Sequence, residues 1–344
     1  MGEKTGMDLK TLTGTLCALP GPSGFESPVR DFIADYIRPF ADEVRTDVLG
    51  SVTAVKKCGV DGAETLLLDA HMDEIGLIVT AAEDGFLRFA KLGGVDARTL
   101  AAREVTILAD PPLYGVIDTM PPHVLSDGDT DRAVPIEKLA IDAGLTQEEA
   151  ERLVPPGTPV VFEGDCAELG GWLCGKALDD RACAAILIKA FEALSAMPLE
   201  RDIALLISTQ EEVGSRGAIV GAWNTAPERA IIVDVTFSKT PHGGDVTTEA
   251  GRGAAIGIGP NMNRAMTEAL FELARKNDIP VQPEVCPGDS GTNAEVIQVS
   301  RGGVATALVS LPIRYMHTPV EMALCDDMES VRRLITAYAA SGEV

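Results

Sequence analysis

Beyond Gly170 the chain alternates between short, wholly apolar runs and helix-length amphipathic segments, and this alternation restricts its fold more than any other feature of the sequence. The runs Ile203 to Ile207 and Ile231 to Val233 carry no polar position, so a strand formed there has both faces buried. Such strands belong in the middle of a largely parallel sheet covered by helices on both sides. The order read is a helix from about Asp180 to Ala196, a strand in DIALLIST, a short helix near Gly217 and a strand in RAIIVDVT. A helix from about Met262 to Lys276, a strand in VATALVSLP and a last helix from Asp327 follow.

The first part of the chain reads as a helix capped by Ser27, with Val29, Phe32, Ile33, Tyr36 and Ile37 on one face and Pro39 as its stop. Two strands follow, in TDVLGSVTAV and TLLLDAHMD, too few for a sheet of their own. From Ile75 to Leu169 the texture is strand-like and rich in turns. It holds IGLIVTAA, an EDG turn, FLRFAKLGG and a short helix whose Thr146 and Glu149 stand at capping-box spacing. The expected organisation is an α/β domain made of residues 1–74 and 170–344, interrupted by a β-rich module at residues 75–169.

With 52 acidic and 29 basic residues the net charge is −23, which excludes a phosphate-neutralising role on nucleic acid. Aromatic residues make up 4%, too few for a stacking platform for sugars or bases. Seven cysteines, an odd number without CxxC spacing, suit reduced thiols. Neither a secretory leader nor an apolar run long enough for a membrane span is present, and Gly6 stands where a myristoylation motif needs Ser or Thr. A cytoplasmic protein is the expectation.

Only four histidines occur, and two stand beside carboxylates at strand ends. His71 and Asp73 lie two apart, so on an extended backbone they share a face, and the carboxylate can orient the imidazole. Asp179 and Asp180 begin a helix, where aspartates are ordinarily caps, and Arg181 beside them is expected to fix one of the two by a charge-assisted bond. Glu211 and Glu212 follow a core strand, and Asp234 ends another; like charges in such places require a compensating cation. His317 precedes a turn at Pro319, while His123 and His242 read as structural or surface residues. Imidazoles and carboxylates converging from successive strand ends suit zinc, cobalt or manganese rather than an all-oxygen ion.

The segments HMDEIG, ALDDR, QEEVGSRGA, VDVT and RYMHTPVE, in this order over nearly the whole chain, resemble the TET-type dinuclear-metal aminopeptidases, a family also labelled glutamyl aminopeptidase or endoglucanase. GVID, PPH and IDAGLTQEEAE resemble that family's inserted domain. The resemblance implies a PDZ-like β insertion for dimerisation, and dimers assembling into a tetrahedral dodecamer. It implies two divalent ions per subunit, with His71, Asp179 and Asp234 on one, Asp179, Glu212 and His317 on the other, and Asp179 bridging. Glu211 would be the general base, Asp73 would orient His71, and the substrates would be peptides with a free N-terminus. Ser51 and Asn293 depart from the residues common in relatives, asparagine and aspartate. The competing readings are an endoglucanase using Glu211 and Glu212, and a non-catalytic assembly protein on the same scaffold. Adjacent glutamates rarely flank one sugar bond, and the retained motif residues argue against loss of activity.

Overall fold

The computed structural model describes residues 6–120 and 133–342, so His123 and Gly2 lie outside the described residues. The chain opens with α1 (Leu9–Ala18), α2 (Ser27–Ile37), β1 (Glu43–Thr46), β2 (Val52–Lys56) and β3 (Thr65–His71). An insert follows, with β4 (Gly76–Glu83), β5 (Phe86–Leu92), β6 (Glu104–Ile107), β7 (Leu113–Ile117), β8 (Ile141–Asp142), α3 (Gln147–Leu153) and β9 (Pro159–Phe162). The chain returns through β10 (Ala167–Leu169), β11 (Trp172–Gly175), α4 (Leu178–Leu194), β12 (Asp202–Ser208), α5 (Arg216–Thr225) and β13 (Arg229–Phe237). It finishes with β14 (Ala254–Ile258), α6 (Arg264–Lys276), β15 (Val281–Val285), α7 (Ala294–Ile297), β16 (Ala305–Arg314), β17 (Glu321–Leu324) and α8 (Cys325–Ala340).

One mixed sheet runs β1-β2-β12-β3-β13-β16-β17-β11-β10, with β14 joined to β16 and β15 to β14. Its centre, β12-β3-β13-β16, is parallel, and side chains alternate between two cores. Leu66, Leu68, Ile203, Leu205, Ile207, Ile231 and Val233 pack with α1, α4 and α8. Leu67, Leu206, Ile232 and Leu308 pack on the other face with α5 and α7. That double burial is why these strands have no polar period.

The insert closes as a six-stranded barrel, β4-β5-β8-β7-β6-β9, around Leu77, Leu87, Phe89, Val105, Ile107 and Val160. Closure removes the unpaired edges a short sheet would expose. The β4–β5 hairpin turns through Asp84 and Gly85, both with positive φ, as a two-residue turn matched to strand twist requires. Thr146 and Glu149 form a reciprocal capping box at the start of α3.

Three details differ from the sequence reading. Helix α1, capped by Asp8 through Thr11 N–H, precedes the helix taken as first. Ser27 is the first helical residue of α2 rather than its cap, and Glu26 in the cap position makes no cap bond because its carboxylate accepts from Gly24 and Gln210 N–H. β14 and β15 carry small residues and Pro283, which conceal the strand pattern; a proline is tolerated because β15 pairs on one side only.

Leu68→Ala, emptying a fully buried site in β3, is expected to cost about 2–5 kcal/mol. Thr146→Ala, removing the cap of α3, is expected to cost about 0.5–2 kcal/mol. Thermal and denaturant unfolding of the two variants should rank them in that order; the reverse order would contradict this account of where the stability resides.

Candidate metal centre

The register of the parallel strands brings distant residues level. Ser208 in β12 is the partner of His71 in β3, and Ile232 in β13 is the partner of Asp69, so Asp234 emerges level with His71. His71 and Asp234 point to the α5/α7 face at the carboxyl ends of their strands, where open α/β sheets bind ligands. Past the end of β12 the chain turns through Gln210, with φ 56°, and delivers Glu211 and Glu212 to the same crevice. The start of α4 supplies Asp179 and Asp180, and the turn after β16 supplies His317, itself at φ 60°.

Asp179 lies between the two imidazoles. Its Oδ1 is 3.2 Å from His71 Nε2, and its Oδ2 is 3.2 Å from His317 Nε2. Glu212 Oε1 lies 3.2 Å from the same His317 nitrogen. His71 Nδ1 faces Asp73, 3.1 Å from its carbonyl oxygen and 3.4 Å from Oδ1, which leaves Nε2 turned to the crevice. Asp73 also accepts from Ser23 Oγ at 2.6 Å and from the N–H groups of Glu211 at 2.9 Å and Glu212 at 3.2 Å. One buried carboxylate therefore fixes both the histidine and the glutamate pair.

Asp179 and Asp180 do not cap α4. Both have non-helical backbone angles, and no side chain caps the helix. Asp180 Oδ2 accepts from His71 N–H, and its Oδ1 is buried without a hydrogen-bond partner. Arg181, read from its position as a clamp on these aspartates, turns the other way: it is fully buried on Glu74 and on the carbonyls of Leu16, Leu19, Gly21 and Met72. Lys176 also pairs with Glu74, at 2.7 Å. The two nearby cations are thus engaged elsewhere, and among the described residues neither Lys nor Arg lines the cleft.

The protonation of these side chains records the resulting excess of negative charge. Burial pushes Asp234 and Asp180 far above the usual carboxylate range and Glu211 up to about 7. Burial acts upward on Asp179 too, but the imidazoles on its oxygens hold it below that range. The carboxylates of Asp179 and Glu212 raise His317 to about 11, and His71 is raised by Asp179 and Asp73 against its burial. A divalent cation satisfies the same surplus without those protons. Among the described residues two sets of donors meet that need, with one atom per residue and all atoms within 4.8 Å: His71, Asp179 and Glu212, and His71, Asp180 and Asp234. The mixed nitrogen and oxygen donors, with a buried orphan oxygen on Asp180, fit a borderline divalent ion.

The structure brings together all seven residues singled out from sequence and adds others. Asp180, taken for a cap, stands with His71 and Asp234. Glu321, buried in β17, accepts from Asp179 N–H at 2.9 Å and His317 N–H at 2.8 Å, tying two donor-bearing segments to one carboxylate. Gly93 and Gly94 come from the insert, after β5, and a Cβ on Gly94 would fall 2.4 Å from His317 Nδ1. A Cβ on Gly93 would fall 3.0 Å from Glu212 Oε2. The paired glycines in KLGG were the only signal of that approach. Asn293 donates to Asp69 and Ser208 behind His71, giving the buried Asp69 a donor that an aspartate there would not. Ser51 is buried and accepts from Thr209 N–H, and His242 is exposed away from the cleft lining.

A family model described as M42 glutamyl aminopeptidase matches residues 50–334. The chain is 38% identical to lysyl aminopeptidase of Pyrococcus furiosus over 326 residues, 92% of this chain and 93% of the relative. It is similar to the solved structure of aminopeptidase APDkam598 from Desulfurococcus kamchatkensis, with 34% identity, TM-score 0.90, and coverage of 97% and 95% of the two chains. It is also similar to the TET1 peptidase of Pyrococcus horikoshii, which can assemble into a tetrahedron or a large octahedral shell. There the identity is 33%, the TM-score 0.85, and the coverage 96% and 99%.

Gly94→Ala is expected to displace the His317 ring and lower the bound divalent metal per chain while circular dichroism stays that of the parent. Full metal content by elemental analysis in that variant would show that the glycine is not needed for the site.

Proposed function

Because the chain belongs to the M42 glutamyl aminopeptidase family, we propose that its cleft removes N-terminal residues from peptides using two divalent ions held by His71, Asp179, Glu212 and Asp234, with His317 beside Asp179 and Glu212 completing the set. It is a metal-dependent aminopeptidase. The observation that carries the assignment of residues is Asp179, with one carboxylate oxygen on each of the two imidazoles, the position of a bridging ligand. The donor set favours zinc or cobalt, with manganese as a third candidate.

Divalent ions held by these residues would supply an activated water and polarise the scissile carbonyl. Glu211 is the general base: its carboxylate lies in the cleft, and its N–H is held by Asp73. It accepts the proton of the attacking water and hands it to the leaving amine, a role typically worth about 10²–10⁴-fold. Asp73 orients His71 and seats the Glu211–Glu212 backbone. The free α-amine of the substrate pairs with the surplus carboxylates, which limits cleavage to the first residue. Glu211 and Glu212 hang from adjacent N–H groups on one carboxylate, an arrangement that suits one side of a substrate and not the flanking pair a glycosidase needs.

Residues 1–74 and 170–344 form the catalytic domain in this reading, and residues 75–169 a PDZ-like dimerisation domain. The similarity to the TET1 peptidase supports a homo-oligomer, built as dimers arranged in a tetrahedral dodecamer. No described helix is long and apolar enough to cross a membrane, which accords with a cytoplasmic enzyme.

Chelation is expected to abolish hydrolysis of aminoacyl arylamides, zinc or cobalt to restore it, and N-acetylation of the substrate to block it; chelator-resistant cellulose cleavage would favour the endoglucanase reading instead. Glu211→Gln should retain its metal and lose at least a hundredfold in kcat. Light scattering should give the mass of a dodecamer of 36.2 kDa chains, and a stable monomer would refute the assembly.

A further inference from the structure

The metal centre occupies one end of a cleft of about 430 Å³, and the other end is built by strands absent from the sequence reading. Ser310 in β16 is the register partner of Asp234 in β13, and it also pairs with Ala255 in β14. Gly257, two residues along β14, is the partner of Glu284 in β15. Side chains two apart on a strand share a face, and register partners share it too, so Asp234, Ser310, Ala255, Gly257 and Glu284 all belong to the α5/α7 side. Only a methyl group and a hydrogen stand on β14 between the outer strand and β16. The Glu284 side chain lies across that gap, and its Oε2 accepts from Ser310 Oγ at 2.6 Å. Ser310 is 1% exposed, so the carboxylate is anchored at a fixed place in the wall.

Adjacent strands lie about 4.8 Å apart, which puts Ser310 one strand beyond Asp234 and places the Glu284 carboxylate within a side chain's length of the metal centre. The space between is walled by Leu308, Cys286 and Val235. Burial, reinforced by Glu284, pushes the Cys286 thiol up to about 11, so that wall carries no charge near neutrality. Asp289 adds a second carboxylate at the exposed rim, and among the described residues no lysine or arginine lines the cleft to neutralise either.

We propose that Glu284, fixed by Ser310 across Ala255 and Gly257, selects peptides whose first residue is lysine or arginine. This rests on the aminopeptidase reading and names the substrate class of the same site. With the α-amine and scissile carbonyl at the metal centre, the first side chain enters the part of the cleft lined by Leu308, Ser310 and Glu284. A lysine stem packs on Leu308 and Cys286, and its ammonium donates to the open edge of the Glu284 carboxylate. An N-terminal glutamate meets a like charge there with no cation to relieve it. The family description says glutamyl and the Pyrococcus furiosus relative is named for lysine, so the wall of this particular cleft, rather than the names, decides.

The test is kcat/KM of the metal-loaded enzyme on lysyl, arginyl, leucyl and glutamyl arylamides, together with calorimetric binding of free lysine and of norleucine, which lacks only the ammonium group. Lysyl and arginyl substrates are expected to exceed the glutamyl one at least a hundredfold, and lysine to bind at least tenfold more tightly than norleucine. Glu284→Gln should lower the lysyl-to-leucyl ratio tenfold or more and bring lysine binding down to that of norleucine. Ser310→Ala, which frees the carboxylate without removing it, should lower the same ratio by a smaller factor. Hydrolysis of leucyl or glutamyl arylamide as fast as lysyl, with lysine and norleucine binding equally, overturns the assignment while leaving the aminopeptidase reading intact. Hydrolysis of none of the arylamides removes both.

Discussion

Carboxylates gathered at the ends of buried strands repel one another and lose their hydration, and in this chain Asp179, Asp180, Glu211, Glu212 and Asp234 are held in that condition together. The register of β12, β3 and β13 sets the level at which they meet, and the apolar interior behind prevents any of them from retreating. Asp73 and Glu321 hold the surrounding backbone by accepting N–H bonds from Glu211, Glu212, Asp179 and His317, so the crowding cannot relax by loop movement either. The positive charges that would ordinarily settle such a cluster, Arg181 and Lys176, are spent on Glu74. A site built in this way has its energetic deficit met by cations from outside the chain, which is the condition for metal-dependent hydrolysis.

How much of this the sequence disclosed depends on how local each signal was. The apolar runs of β12 and β13 announced doubly buried strands, and charged residues directly after such runs had few innocent explanations; Glu211, Glu212 and Asp234 were readable for that reason. His71 and Asp73 were readable from their spacing alone. Asp180 was hidden because two aspartates at a helix start look the same whether they cap the helix or turn away from it. Arg181 misled for a related reason: proximity in sequence to Asp179 says nothing about which way a side chain leaves the backbone, and Glu74 with four carbonyls, in the last turn of α1, in the α1–α2 connection and just past β3, proved the stronger attraction. Glu321 and the β14–β15 wall depend on contacts between segments far apart in the chain, and no local pattern carries those.

The glycines of the KLGG segment give the insert a part in the chemistry. Gly93 and Gly94 leave the barrel directly after β5 and pass against Glu212 and His317, closer than any residue with a side chain could. The barrel therefore reaches the candidate metal centre directly. A shift of its first hairpin would be felt at Glu212 and His317, so the barrel and the geometry of the candidate centre are mechanically joined through the shortest side chain available.

β3 is synthesised well before either of its neighbours in the sheet. The segment LLLDA leaves the ribosome, the whole barrel follows, and only with Asp202–Ser208 and Arg229–Phe237 does the nascent chain acquire the partners that cover β3 on both edges. During that interval an apolar strand with two open edges has nothing native to pair with, while the barrel beside it can already close. Late-forming contacts of this kind are slow and prone to association with the wrong chain. In this architecture the order of translation makes β3 the natural client of whatever holdase attends the emerging polypeptide.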